Sequence, residues 1–364
     1  MSQASHPDRR AIIFFESKAF AAWYGSSAVR AVKDKNYRTR SVELGEPETE
    51  TFTIREFGEI TVNTLAHFEE GDDVNRLSNR ARFNVKFDQH KSLAQVMDLC
   101  MGLELLFGFL VGFRPPMPSF GMRKPAIEDS AKLANSTLRI GSMFFRDQPT
   151  PHPLNRLNMR GRDNASLQTV LEAFLSDQQA MMNRIHAVEY SRWFGGSLND
   201  QFAAVMPVFE EYVQAKFKTA DEQSYMNNAA DFWKYVDEAP DENLRNFAKK
   251  HLIVKDSKAP GLPILISRAM DGLNDIGFDF RPMLAGRINQ RRAQMFHRAP
   301  TMSDKSVADF YEEKLAVTAM LMLYTLQELG INLNGIAQNL GALMEHSSFT
   351  QKWKKLGPQS SNSL

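Results

Sequence analysis

Arg287-Ile-Asn-Gln-Arg-Arg-Ala-Gln-Met-Phe-His297, a turn through Arg298-Ala-Pro-Thr-Met-Ser-Asp304, and the apolar run Val307 to Leu329 decide how this chain is read. The first segment follows the turn residues Gly277 to Pro282 and places three arginines and a histidine on about three turns of predicted helix. At about 100° per residue, Arg292 and His297 project from adjacent faces roughly one and a half turns apart. A guanidinium is always charged and grips phosphate through a planar fork, whereas an imidazole titrates near neutrality. That pairing suits cleavage of a phosphodiester. Either Arg292 or Arg291 serves as the arginine of the pair, with His297 as its histidine; Arg287 and Arg298 are the neighbouring cations available to bind substrate.

The pattern is short, so its rivals must be weighed. Arg146 with His152 spans Pro149 and Pro151 and cannot be helical. Arg245-Asn-Phe-Ala-Lys-Lys-His251 is a second helical pair, with Lys249 and Lys250 on what reads as a solvated face, and no long leucine-rich helix follows it directly. The bland reading of His297 is a helix-end histidine interacting with the C-terminal dipole. For Arg287, Arg291 and Arg298 it is a solvated helical face, and Met295 and Phe296 read as core. Tyr190, Trp193 and Phe194 can stack on bases, though core or interface packing suits them better. Asp279 and Glu312-Glu313 can orient a histidine, but their spacing does not make a metal site, and no metal or cofactor is expected. There is no phosphate-binding glycine loop, dinucleotide fingerprint or Gly-x-Ser-x-Gly elbow.

The 364 residues suffice for two cored domains, and a formal net charge of +1 restricts any nucleic-acid contact to a local patch. One cysteine, Cys100, excludes an intrachain disulfide framework and a cysteine-rich zinc site. It lies in an apolar helical run, where a buried inert thiol is expected. Ala11 to Phe15 is too short for a signal-peptide core, so a cytoplasmic setting is expected.

The expected fold class is α+β: a β-rich N-terminal domain over residues 1–150 with a covering helix, an all-α bundle over 160–345, and a polar tail over 346–364. Ala11-Ile-Ile-Phe-Phe, Thr51 to Phe57 and Arg82-Phe-Asn-Val-Lys-Phe read as strands, the last with Phe83, Val85 and Phe87 on one face. Glu69-Glu-Gly-Asp-Asp reads as a turn, and Leu133 to Phe145 as a further strand pair or extended crossing. Ser92 caps an apolar helix to Phe113 that nears membrane-span length. Asp98 and Glu104 near its middle oppose a bilayer, so it reads as the cover of the sheet. Prolines 149, 151 and 153 mark the domain boundary. Beyond it, helices are predicted over 166–175, 177–192, 198–216, 224–235, 241–252, 261–274, 282–297 and 307–329, with Pro207 kinking or splitting the third. Leu315, Met322, Leu326 and Leu329 form a buried stripe on the last.

An Arg-x4–6-His segment before a leucine-rich helix that closes on Leu329-Gly330-Ile331 resembles the C-terminal part of an Apea-like HEPN domain. Arg82-Phe-Asn-Val-Lys-Phe, Leu103-Glu-Leu-Leu-Phe-Gly-Phe-Leu and Gly112-Phe-Arg-Pro-Pro resemble the domain that precedes it in that family, so the resemblance covers most of the chain in order. Two departures stand: less strand sequence precedes the first apolar run, and Ala293 follows Arg292 where the family commonly has a polar residue. Arg291 is followed by the polar Arg292, and Arg245 by Asn246. The resemblance implies an HEPN bundle and a metal-independent endoribonuclease of antiphage defence or toxin-like growth arrest. Its RNA substrate would be tRNA or another structured RNA. It also implies a homodimer or higher homo-oligomer, no membrane, and a phage-derived or cellular trigger. The alternative is a non-catalytic HEPN-like module for dimerisation and partner binding.

Overall fold

The computed structural model describes residues 12–25, 29–33, 39–69, 76–89, 91–112, 119–123, 136–138, 165–193, 197–251, 260–278, 280–297 and 304–333. The architecture is mixed, α+β at the level of class, and antiparallel wherever strands pair. Among the described residues two compact units emerge: one holds those up to His186 together with Thr325 to Leu333, the other those from Ala187 to Tyr324. Prolines 149, 151 and 153, where the domain boundary is expected, lie outside the described residues.

The first unit is built on a six-stranded sheet of order β4-β5-β6-β1-β7-β8, with β1 Ile12–Glu16, β4 Thr49–Ile54, β5 Gly58–Glu69, β6 Arg76–Phe87, β7 Ser119–Arg123 and β8 Ser136–Leu138. A separate ribbon joins β2 Val29–Lys33 to β3 Thr39–Leu44. The alternation in β6 does what its pattern dictates: Phe83, Val85 and Phe87 are buried, as are Ile60 and Val62 on β5. Polar residues line the neighbouring β4–β5 ladder, where the Thr51 and Thr61 hydroxyls meet at 3.2 Å and Thr49 donates to Asn63 at 2.9 Å. Of the extended readings, the 69–73 turn and most of 133–145 lie outside the described residues.

The cover is a pair of helices, one of which pattern reading misses. Helix α1, Lys18–Tyr24, is seven residues long and bracketed by Ser17, whose side chain accepts from the Ala19 and Phe20 amides, and by Gly25 in the left-handed region at φ 71°. It touches β6 and also α2, Leu93–Val111. Phe20 lies edge-on to Phe83 at 5.6 Å and against Phe107 at 4.7 Å, with Trp23 at 5.5 Å from the same Phe107 ring. Ser92 and Gln95 form a reciprocal capping box at the start of α2, as its N-cap residue predicts. Residues Ala94–Val111 are long and apolar enough to cross a bilayer, yet 72% of them are buried in protein. Cys100 is 1% exposed, and burial followed by the nearby Glu104 charge pushes its thiol up to about 12, so it stays protonated. Helix α3, Leu167–Ser176, and the start of α4, Gln178–Trp193, complete this unit's described helices together with the end of the last helix.

The second unit contains α5 Leu198–Lys216, α6 Ala220–Glu238, α7 Glu242–His251, α8 Leu262–Asn274 and α9 Met283–His297, with most of α10 Asp304–Glu328. Most bounds fall within a residue or two of the pattern reading, while α6 and α10 start up to a turn earlier. Pro207 does not split α5. Phe202, Val205, Met206, Phe209 and Val213 are all fully buried along it, and that packing holds the helix through the missing amide.

Leu326 is 1% exposed near the end of α10, and Ile331 donates its amide to the Leu326 carbonyl at 3.0 Å. Leu326→Ala is expected to cost about 2–5 kcal/mol as a core truncation. Chemical denaturation should show a lowered midpoint with an unchanged slope; an unchanged midpoint would mean that the helix end is not packed.

Candidate functional site

Helix α9 carries the arginines, and its 3.6-residue period distributes them. Arg287 and Arg291, four apart, lie on one stripe, while Arg292 sits about 100° further round. The stripe faces α10. There Arg287 donates from Nε to Glu313 Oε1 at 3.0 Å, from Nη1 to Glu312 Oε2 at 3.0 Å, and from Nη2 to the Asp309 carbonyl at 3.2 Å. Arg291 donates from Nε to the other Glu313 oxygen at 2.8 Å, and its guanidinium lies 4.6 Å from the centroid of the Phe310 ring. Phe310 is fully buried and edge-on to Phe202 at 5.3 Å. One carboxylate therefore serves two arginines, and its side chain is 4% exposed.

A buried carboxylate is tolerated only when paired and hydrogen-bonded. Here both oxygens of Glu313 are engaged. Burial works against the charge of Arg287, but its bonds to Glu312 and Glu313 outweigh this and hold its pKa above the ordinary value. The Glu312-Glu313 pair thus fastens α9 to α10.

Arg292 points the other way, to α5. Its Nε and Nη2 donate to the two oxygens of Glu210 at 2.6 and 2.8 Å, a bidentate fork, and Gln214 donates to the same carboxylate at 3.2 Å. The Arg292 side chain is 32% exposed against 11% for Arg291. The two candidate arginines are thereby distinguished: Arg291 is enclosed by Glu313 and Phe310, while Arg292 is partly open to solvent.

His297 is the last residue of α9; its side chain lies outside the described residues, as do Arg298, Asp279, Phe194 and the side chains of Phe296 and Trp193. Met295 is partly exposed, and Tyr190 is exposed. In the rival segment, Arg245 folds back to donate to the Ala239 carbonyl just past the end of α6, and Lys249 pairs with Asp237 at 2.7 Å. Arg245 therefore closes a helix end. The His251 side chain, too, lies outside the described residues. Among the described residues, no group of three or more His, Cys, Asp or Glu is placed to hold a metal.

Glu210 and Phe310 escaped sequence reading. Glu210 lies 82 residues before Arg292, and nothing in local pattern links them. Beside Glu313 in the chain, Lys314 is 4% exposed, with its Nζ 5.7 Å from the Tyr311 ring centroid. Burial, then the Arg192 charge, brings its amine down to about 8. In the next turn, Thr318 donates to the Lys314 carbonyl at 2.8 Å and shares a 2.6 Å hydroxyl contact with the buried Ser191.

No family model, curated protein or solved structure matches the chain.

The two carboxylates should differ in their energetics. Glu313→Ala leaves two arginines short of their partner and is expected to destabilise on the order of 3 kcal/mol. Glu210→Ala, at a partly exposed pair, should cost about 1 kcal/mol or less. Equal shifts in denaturation midpoint would contradict this ranking.

Lys314 gives a pH signature. Its folded pKa lies below the unfolded value, so between the two the unfolded chain binds more protons and stability rises with pH. Tyr324, whose pKa burial raises, acts in the opposite direction only above about 10. Cys100, whose thiol stays protonated in the fold, opposes the climb once the unfolded thiol begins to ionise at about pH 8.5. The Lys314 signature is therefore a difference: between about pH 8 and 10 the stability of wild type should rise relative to Lys314→Met in denaturation profiles.

Proposed function

We propose that this chain is a metal-independent endoribonuclease of the Apea-like HEPN kind, acting in antiphage defence or toxin-like growth arrest from the cytoplasm. The observation that carries the reading is the bidentate seat of Arg292 on Glu210, five residues before His297 on one helix. A planar fork on a carboxylate is the arrangement that also receives a phosphate, and exchanging one oxyanion for another needs no rebuilding of α9. Arg287 and Arg291 hold the helix through the buried Glu313 while Arg292 faces the exchange. The leucine-rich α10 follows and closes at Gly330, whose φ of 77° suits glycine.

RNA brings its own nucleophile, the 2′-hydroxyl, so the protein supplies charge stabilisation and proton transfer. Arg292 holds the scissile phosphate and stabilises the charge that develops on it. His297 takes the 2′-hydroxyl proton or delivers one to the leaving 5′-oxygen, giving a 2′,3′-cyclic phosphate and a 5′-hydroxyl. Arg298, beside the histidine, is a further phosphate contact. A homodimer or higher homo-oligomer places two such helices around one substrate, which is tRNA or another structured RNA. The β-rich part responds to a phage-derived or cellular trigger.

A second reading is supported by a specific observation. Arg287, Arg291 and Arg292 are all neutralised by carboxylates already, as expected of a non-catalytic module whose arginines fasten helices for dimerisation or partner binding.

Purified protein should cleave RNA in EDTA and leave 5′-hydroxyl ends that ligate to an adapter only after phosphorylation by a kinase. Arg292→Ala and His297→Ala should each abolish cleavage while the protein stays folded; His251→Ala should leave it largely intact. Folded variants with undiminished cleavage would remove the α9 assignment, and cleavage lost only with His251→Ala would move the site to the Arg245 segment. An inert wild-type protein that still dimerises would favour the module.

A further inference from the structure

We infer that a cleft in the first unit is a docking site for this chain's own basic segment Lys352-Trp353-Lys354-Lys355. The cleft opens between the turn joining β4 to β5, the N-terminal half of α2, and the corner between α3 and α4, with a volume of about 950 Å³. Its floor is apolar and adaptable: Phe57, Leu99, Met101, Leu175 and Met182 line it, and Met101 is 42% exposed. Unbranched thioethers accommodate an aromatic guest and make favourable contacts with its ring. The back is closed where α2 meets α3 and α4 at Gly102. A Cβ there would stand 3.0 Å from Gln178 Nε2, 3.2 Å from the Phe174 ring and 3.3 Å from Met182 Sδ.

The mouth carries Glu56, Asp98 and Glu172 against Lys91 and Arg55, three carboxylates to two cations. Arg55 lies 3.7 Å from Glu56, which leaves Asp98 and Glu172 as the carboxylates facing a single lysine. An apolar floor under a net acidic rim fits a ligand with an aromatic body and several positive charges. Three lysines around Trp353 supply both within four residues.

Reach favours an occupant from the same chain. The described structure ends at Leu333, in the first unit. Just before it, Gly330 is so close to α3 that a Cβ would lie 2.7 Å from Thr169 Cγ2, and Glu328 accepts from Arg184 of α4 at 2.6 Å. Thr169 and the cleft residue Ser176 are separated by about 10 Å of helix. Eighteen residues separate Leu333 from Lys352. They span about 27 Å as helix and roughly 60 Å extended, so every part of the cleft is within reach. Tethering gives the segment a high effective concentration at the cleft, so modest contacts suffice for occupancy. This inference does not depend on the ribonuclease reading.

The test is limited trypsin digestion of the full chain, following cuts after Lys352, Lys354 and Lys355 by mass spectrometry. Wild type should be cut at these sites at least fivefold more slowly than Asp98→Lys/Glu172→Lys, with the melting temperature confirming that the variant is folded. Trp353→Ser, which leaves the cleft untouched, should release the segment equally. Equal rates in wild type and both variants would overturn the inference. Protection that is lost on dilution would also overturn it, because the occupant would then be the segment of a second copy.

Discussion

The carboxylate of Glu313 is the constraint on which the second unit depends. It is almost fully enclosed, and an enclosed charge without partners would cost several kcal/mol. Arg287 and Arg291 resolve that cost only if α9 presents both, four residues apart, to the same side of α10. This fixes the rotation of α9 about its own axis, and through it the direction of every other side chain on the helix. Arg292 faces Glu210 of α5 because the other two arginines face Glu313. The face of Phe310 under Arg291 adds a contact that a lysine would not make as well, since a guanidinium stacks flat and holds its charge.

In the first unit the corresponding constraint is apolar. The sheet presents one buried face, and the aromatic rings of Phe20, Trp23 and Phe107 fill the space above Phe83. The composition of α2, which alone would suit a bilayer, follows from its place in a core with protein on most sides. Glu104 is buried among its apolar neighbours while Asp98 reaches solvent at the cleft, so the two carboxylates read together in sequence have separate surroundings.

Much of this was legible in the sequence, for identifiable reasons. Caps and period locate α2, with Ser92 and Gln95 closing its start, and they locate the helices after residue 165 to within about a turn. Phe83, Val85 and Phe87 announce the buried face of β6. Helix α1 was hidden because its seven residues, Lys18 followed by Ala, Phe, Trp and Tyr alone, lie between strand-like runs and show no period. Its only signals are Ser17 before it and Gly25 after it. At the candidate site the arginines were legible and their partners were not. A helix period says which arginines share a face, but Glu210 and Glu313 meet them through packing between helices distant in sequence. Sequence reading also left Arg291 and Arg292 equivalent, and only their different enclosure separates them.

That difference sets an order in which the arginines of α9 are available to an incoming anion. Removing Arg291 from Glu313 uncovers a buried carboxylate and breaks a contact with a buried ring, so a phosphate offers too little in return. Arg287 is held by the same carboxylate and by Glu312, so its release also takes a partner from the buried Glu313. Glu210, once released from Arg292, still keeps the Gln214 amide and is partly open to water, which re-solvates the charge. The two non-bridging oxygens of a phosphodiester offer the vacated fork the same paired acceptors that the Glu210 carboxylate offers it. The same pairings that argue for a structural role at Arg287 and Arg291 therefore leave Arg292 as the described arginine of this helix whose carboxylate partner is the more readily re-solvated when it is released.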